Sequence, residues 1–356
     1  MILAGKATVR MIIARIWLPL LAMAILPVRA SAQDAADSVT GLQRNVIFSD
    51  YSPLSGSMEL AHRTLSPLAN IEIARAASKN ALRSQAIDLA QERFSVYVPA
   101  QRPSPGYALM VFIPPGQDAH LPAGWATVLE HHGMIFVSAA KSGNEEKVLD
   151  RRIPLALLGA YNVMQKYPID PERIYIGGFS GGSRVALKTA LAYPDLFRGA
   201  LLNAGSDPIG DGEDFVPPGD LFARFQSSRL VYVTGSEDEW NLQRDMVSRD
   251  SMKAWCVFGT AIQTMYRVGH ESAAPHAVDL AITALDQRPL ADQGTLSACR
   301  ARLAKESAAD LQRIAELLER DRPHDAWRSL TKADSRYGGL AATEIEQLEQ
   351  RIGARR

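Results

Sequence analysis

Only two cysteines, Cys256 and Cys299, occur among the 356 residues, so the chain is not a small disulfide-stapled scaffold. Its 25 glycines and 20 prolines follow no period, which excludes collagen and low-complexity sequence. Net charge is missing as well, because 39 Lys and Arg balance 39 Asp and Glu. A nucleic-acid binder carries a basic footprint, so no nucleic-acid partner is expected. No spacing of Cys and His has the form of a metal site, and no cofactor or metal is expected. What remains is a chain with 47% hydrophobic and 22% charged residues, the composition of a folded protein with a large core.

The charge balance is uneven along the chain. Residues 1–32 hold Lys6, Arg10, Arg15 and Arg29 and no acid. An apolar run, Ile16–Val28, follows the basic stretch and ends at Ala30-Ser31-Ala32. A basic region, a short apolar stretch and a small-x-small site together describe a secretory signal peptide, with Met11 as an alternative start. The run is shorter than the roughly 20 residues of a membrane span, and Pro19 and Pro27 interrupt it. No stable span is therefore expected after cleavage, and an uncleaved anchor is the competing reading. Cleavage after Ala32 would leave 35 basic and 39 acidic residues, net −4. The expected location is the periplasm or the exterior, where Cys256 and Cys299 could pair; two separate buried thiols are the alternative.

From residue 94 to 287, β-branched runs alternate with helix-length segments. Strands are expected at Phe94–Val98, Ala108–Ile113, Met134–Ser138, Arg173–Ile176, Gly199–Asn203, Leu230–Thr234 and Ile262–Val268. Helices are expected at Ile153–Lys166, Gly182–Ala192, Gln243–Trp255 and Pro275–Asp286. This alternation implies a mostly parallel sheet with helices on both faces. Residues 33–93 read as an N-terminal elaboration, with an edge strand near Asn45–Phe48 and a helix over Ile71–Leu89. Residues 94–297 form the expected catalytic domain. Residues 298–356 read as a helical extension: Leu311, Ile314 and Leu318 mark one face, Pro323 opens a second helix, and Thr343 with Glu346 has capping-box spacing for a third. No partner can be assigned to this tail.

The chemistry concentrates at Gly178-Phe179-Ser180-Gly181-Gly182, a G-x-S-x-G between an expected strand and an expected helix. That setting is the nucleophile elbow, whose glycines let a serine stand above the sheet on a strained turn. A serine hydroxyl needs a base, and the base needs an orienting carboxylate. Asp238 follows the strand Leu230–Thr234 and is the expected acid, with Glu237 and Glu239 as competitors. His270 follows the next strand and is the expected base, ahead of His276. The pair His131-His132 reads as a polar helix end. Gly181 and Gln117 are the expected backbone N–H donors to an oxyanion, Gln117 lying in the loop Pro114-Pro115-Gly116-Gln117. The loop Ser206–Ser228 reads either as a lid or substrate wall or as a solvated insertion.

The elbow and the order Ser180, Asp238, His270 resemble an α/β-hydrolase-fold serine esterase. The run Ile169–Tyr175, the elbow and Tyr193-Pro194-Asp195-Leu196-Phe197 are similar to the secreted polyhydroxybutyrate depolymerase and feruloyl esterase branch. The chain departs from that branch at Pro115-Gly116, where the branch has His-Gly. The resemblance implies hydrolysis of an ester, in a small molecule or a polymer, through an acyl-enzyme. A serine peptidase of the same fold and a catalytically silent envelope binding protein are the alternatives.

Overall fold

In the computed structural model, which describes residues 39–77, 86–212, 214–287 and 292–355, eight strands form one sheet. They are β1 (Gly41–Val46), β2 (Phe94–Val98), β3 (Tyr107–Ile113), β4 (Met134–Ala139), β5 (Ile169–Phe179), β6 (Gly199–Asn203), β7 (Arg229–Gly235) and β8 (Thr260–Met265). Their order is β1-β2-β4-β3-β5-β6-β7-β8. Strand β2 runs antiparallel to both neighbours, and β4, β3, β5, β6, β7 and β8 are parallel. This is the α/β-hydrolase topology.

Eleven helices accompany the strands among the described residues: α1 (Ser57–Thr64), α2 (Pro67–Ala77), α3 (Trp125–His132), α4 (Ile153–Lys166), α5 (Gly181–Ala192), α6 (Gly219–Phe225), α7 (Glu239–Ala254), α8 (Pro275–Asp286), α9 (Gln293–Glu319), α10 (Pro323–Tyr337) and α11 (Ala342–Gly353). Side chains alternate across a strand, and β3 shows the consequence. Leu109, Val111 and Ile113 enter the core shared with α4, α5 and the C-terminal helices. Ala108, Met110 and Phe112 enter a second core beneath α3 and α8. Both faces are covered, which is why β3 is apolar at every position and buried throughout.

Several expected boundaries shift. Strand β8 ends at Met265, because Arg267 takes a positive φ of 57° and turns the chain. Helix α7 starts at Glu239, since the Asp238 side chain caps it by accepting from Asn241 N–H. The edge strand β1 ends at Val46, so Ile47 is exposed and Phe48 instead packs on Phe94. Helix α2 ends at Ala77; residues 86–88 are not helical, and the stretch between lies outside the described residues. Helix α11 begins at Ala342 without a side-chain cap, so the Thr343–Glu346 capping box does not form. Helix α9 begins at Gln293, capped by Asp292, and residue 298 lies inside it. The expected signal peptide, residues 1–32, falls outside the described residues.

The flanking segments pack into the body. Arg63 of α1 makes a two-pronged pair with Asp195 at 2.7 and 3.0 Å. Arg75 of α2 pairs with Glu349 of α11. Leu311, Ile314 and Leu318 of α9 are buried in the α4–α5 core. A disulfide joins Cys256 and Cys299, with Cα atoms 5.7 Å apart, and so ties the end of α7 to α9. Among the described residues of 206–228, the segment is not a solvated insertion. Val216, Phe222 and Phe225 are buried, and Gly339 N–H donates to Val216 O at 2.7 Å. No helix among the described residues is long and apolar enough to cross a membrane.

Candidate active site

Ser180 lies between β5 and α5, with φ 56° and ψ −123°. A non-glycine residue in that region costs roughly 1–3 kcal/mol and persists only where its surroundings enforce it. The enforcement is steric and local. A Cβ on Gly178 would strike the backbone of Gly182, and one on Gly182 would strike the Ile113 carbonyl. The strand, the turn and the helix can therefore close onto the end of β3 only with glycine at both positions. Ser180 N–H is held by the carbonyl of Asn203, the last residue of β6, at 2.9 Å.

Three of the expected residues meet here. His270 Nε2 lies 2.9 Å from Ser180 Oγ, and His270 Nδ1 lies 2.6 Å from Asp238 Oδ2. With Asp238 ionised, Nδ1–H is the donor to the carboxylate, which leaves the Nε2 lone pair to accept from Ser180 O–H. Asp238 is buried, at 8% exposure, whereas its competitors Glu237 and Glu239 are both exposed. Burial pushes the Asp238 carboxyl up, but hydrogen bonds from His270 and Asn241 together outweigh it and hold the group below the usual carboxylate range. His276 is exposed on α8, and His131 and His132 end α3.

Of the residues that brace this trio, Asn241, Arg184 and Asn203 belong to no sequence motif. Asn241 Nδ2 donates to both carboxylate oxygens of Asp238, at 2.9 and 2.8 Å. Arg184 of α5 donates to Asn241 Oδ1 at 3.0 Å and pairs with Asp207. Asn203 fixes the His270 loop, since its Oδ1 accepts from Ala273 N–H at 2.7 Å while its Nδ2 donates to Val233 O. Glu237 N–H donates to Val268 O at 2.9 Å, stitching the acid loop to the base loop. Phe179 lays its ring on the His270 imidazole, with centroids 5.0 Å apart.

The two expected oxyanion donors stand in different segments of the chain. Gly181 is the first residue of α5, so its N–H has no acceptor within the helix. Gln117 sits in the loop after β3; its carbonyl accepts from Lys141 N–H at 2.6 Å, and its Nε2 lies 3.5 Å from Glu145. Neither contact reaches Ser180. The loops after β3 and β4 are clasped together: Asn144 N–H donates to Pro115 O at 2.9 Å, and the Asn144 amide abuts Gly181. Arg152 lies beneath both loops, 3% exposed, donating to Ser142 O at 2.8 Å and Pro114 O at 3.1 Å. Burial lowers its pKa to about 10, against a smaller opposing pull from Glu146. No metal-ligating cluster lies at this site among the described residues.

Residues 159–209, which include the elbow, match the family model described as phospholipase/carboxylesterase. No curated protein matches the chain. Among solved structures, a thermostable esterase aligns at 17% identity and TM-score 0.36, over 49% of this chain and 51% of its own. A ferulic acid esterase aligns at 13% identity and TM-score 0.42, over 55% and 92%. Porphyromonas gingivalis dipeptidyl peptidase 4 aligns at 15% and 0.41, over 56% and 34%. The chain thus spans about half of the first of these and a third of the last. By its own strand order the chain has the α/β-hydrolase fold, and its elbow segment is similar to the phospholipase/carboxylesterase family.

Proposed function

We propose that this chain is an exported serine hydrolase that cleaves a carboxylic ester through an acyl-enzyme on Ser180. The observation that carries the reading is the unbroken contact Ser180 Oγ–His270 Nε2–His270 Nδ1–Asp238 Oδ2, at 2.9 and 2.6 Å, on a strained strand-to-helix turn. In the first half-reaction Ser180 Oγ attacks the acyl carbon while its proton passes to His270 Nε2. Asp238 keeps Nδ1 protonated and stabilises the imidazolium that forms. The negative charge on the former carbonyl oxygen is met by the N–H groups of Gly181 and Gln117. The tetrahedral species collapses as the imidazolium returns its proton to the departing alcohol. Water then repeats the sequence on the acyl-enzyme and releases the acid.

The match of residues 159–209 to a phospholipase/carboxylesterase model supports an ester as substrate. The basic, apolar, small-x-small leader and the Cys256–Cys299 bridge both suit an oxidising compartment. A fluorophosphonate probe tests the reading: the wild type should be labelled and Ser180→Ala should not. If the folded wild type is not labelled, the chain is a silent binding protein instead. Faster turnover of short p-nitrophenyl esters than of aminoacyl anilides separates esterase from peptidase. The N-terminal residue of protein recovered outside the cytoplasm tests export, and Gln33 is expected.

A further inference from the structure

Far from Ser180 in the sequence, at the end of α3, two imidazoles and one carboxylate converge. His131 Nδ1 lies 3.3 Å and His132 Nε2 lies 2.8 Å from the same atom, Asp279 Oδ1 on α8. Consecutive residues on a helix point in directions about 100° apart, yet here both rings turn to one oxygen, with centroids 4.9 Å apart. One candidate ligand atom from each residue falls within 4.8 Å of the others. We propose that His131, His132 and Asp279 bind a divalent transition-metal ion of the Zn²⁺ type.

The distances bear on the ion. With metal–ligand bonds of about 2.0–2.1 Å, neighbouring ligand atoms stand about 3.4 Å apart around a tetrahedral ion and about 2.9 Å apart around an octahedral one. The two N···O distances of 2.8 and 3.3 Å lie close to those values, and the three ligand atoms all fall within 4.8 Å of one another. Two neutral imidazole lone pairs and a carboxylate oxygen are the donor set that suits zinc and its neighbours, whereas Mg²⁺ prefers oxygen. His131 is 74% exposed, so its ring can turn to close the geometry, and water can fill the remaining positions. The surrounding charges allow it. The C-terminal end of α3 favours a cation, Arg173 has its charge paired with Asp286, and Glu130 is engaged by Tyr97 O–H and Ala100 N–H.

The ion would act as a clip. Helices α3 and α8 already touch near their N-termini, where Gly124 abuts the Pro275 ring and Trp125 Nε1 donates to Ala273 O at 2.9 Å. A metal between His131, His132 and Asp279 fastens the same pair one to two turns further along.

Calorimetric titration of chelator-treated full-length protein, carrying no histidine tag, with ZnCl₂ tests the site. One ion per chain with a micromolar Kd is expected, together with a rise in Tm of about 3 °C at zinc tenfold above Kd. His131→Ala and Asp279→Asn should each weaken binding at least tenfold. Both variants should fold, the first because the ring is exposed and the second because the amide keeps the shape and hydrogen bonding of the carboxyl. MgCl₂ should give no binding. The proposal is overturned if zinc does not bind below 1 mM, if both variants bind as the wild type does, or if Mg²⁺ binds equally well.

Discussion

Replacing Arg152 by methionine should separate catalysis from folding. Its guanidinium makes two charged hydrogen bonds, to Ser142 O and Pro114 O, each worth about 1.5–3 kcal/mol, or about 3–6 together. Against this stands the cost of burying the charge. Lowering the pKa from 12.5 to about 10 corresponds to roughly 3 kcal/mol at about 1.4 kcal/mol per pH unit. Methionine keeps the apolar stem in a site 3% exposed, so the net loss of stability should be about 0–3 kcal/mol. The rate should suffer more. The two carbonyls belong to the loops carrying Gln117 and Asn144, and misaligning one oxyanion donor costs about 10²–10³ in kcat. Initial rates on p-nitrophenyl acetate and urea unfolding curves measure the two effects separately. A folded Arg152→Met protein with kcat within threefold of wild type would refute the role given to this residue.

Four further outcomes follow from the geometry. Asp238→Asn should lower kcat by about 10³–10⁴ while Glu237→Gln and Glu239→Gln leave it nearly unchanged; full activity in Asp238→Asn would remove it as the acid. Because Asp238 is held below its ordinary value of 3.8, the stability it contributes is whole above about pH 4 and disappears as pH falls through the lowered value. The stability gap between wild type and Asp238→Asn should thus stay level from pH 7 to 5 and close in stronger acid, as read by urea curves at each pH. Gly182→Ala should cost about 3 kcal/mol or more, since the new methyl meets the Ile113 carbonyl, while Gly181→Ala should be milder because the exposed Asn144 amide can swing aside; equal losses in thermal unfolding would show Asn144 to be fixed. Cys256→Ser with Cys299→Ser should cost about 4 kcal/mol for a bridge of sequence separation 43, and a loss below about 1 kcal/mol would contradict that.

The elbow was legible because its constraints are local: strand, glycines, serine and helix follow one another within Ile169–Ala192. The contact of Asp238 and His270 with Ser180 was legible because each residue follows a strand, and the sheet order carries both strand ends to the same edge as Ser180. The residues that hold them were not. Arg152 acts on Pro114, Asn203 on Ala273 and Arg184 on Asn241, partners 38, 70 and 57 positions apart, and nothing in their own neighbourhoods distinguishes them from ordinary polar side chains. Strand limits shifted at both sheet margins and also in the central β5, which runs Ile169–Phe179 where Arg173–Ile176 is expected. β1 and β8 pair on one side and are only half buried, so their apolar patterns are weak. The solvated-insertion reading of Ser206–Ser228 fails because prolines and glycines do not imply exposure: Val216 is buried and its carbonyl accepts from Gly339 N–H at the α10–α11 junction.

The bridge between Cys256 and Cys299 encloses β8, His270 and α8 in a covalent ring and leaves Ser180 and Asp238 outside it. The two halves of the proton relay therefore belong to differently constrained pieces of chain. When the ring is closed, the segment bearing the imidazole has few ways to wander from the sheet edge, even during partial opening. When a reductant opens it, that segment gains freedom while the serine and the carboxylate keep theirs unchanged. Under the proposed mechanism, reduction of the bridge should therefore lower the rate through His270 before the other elements give way.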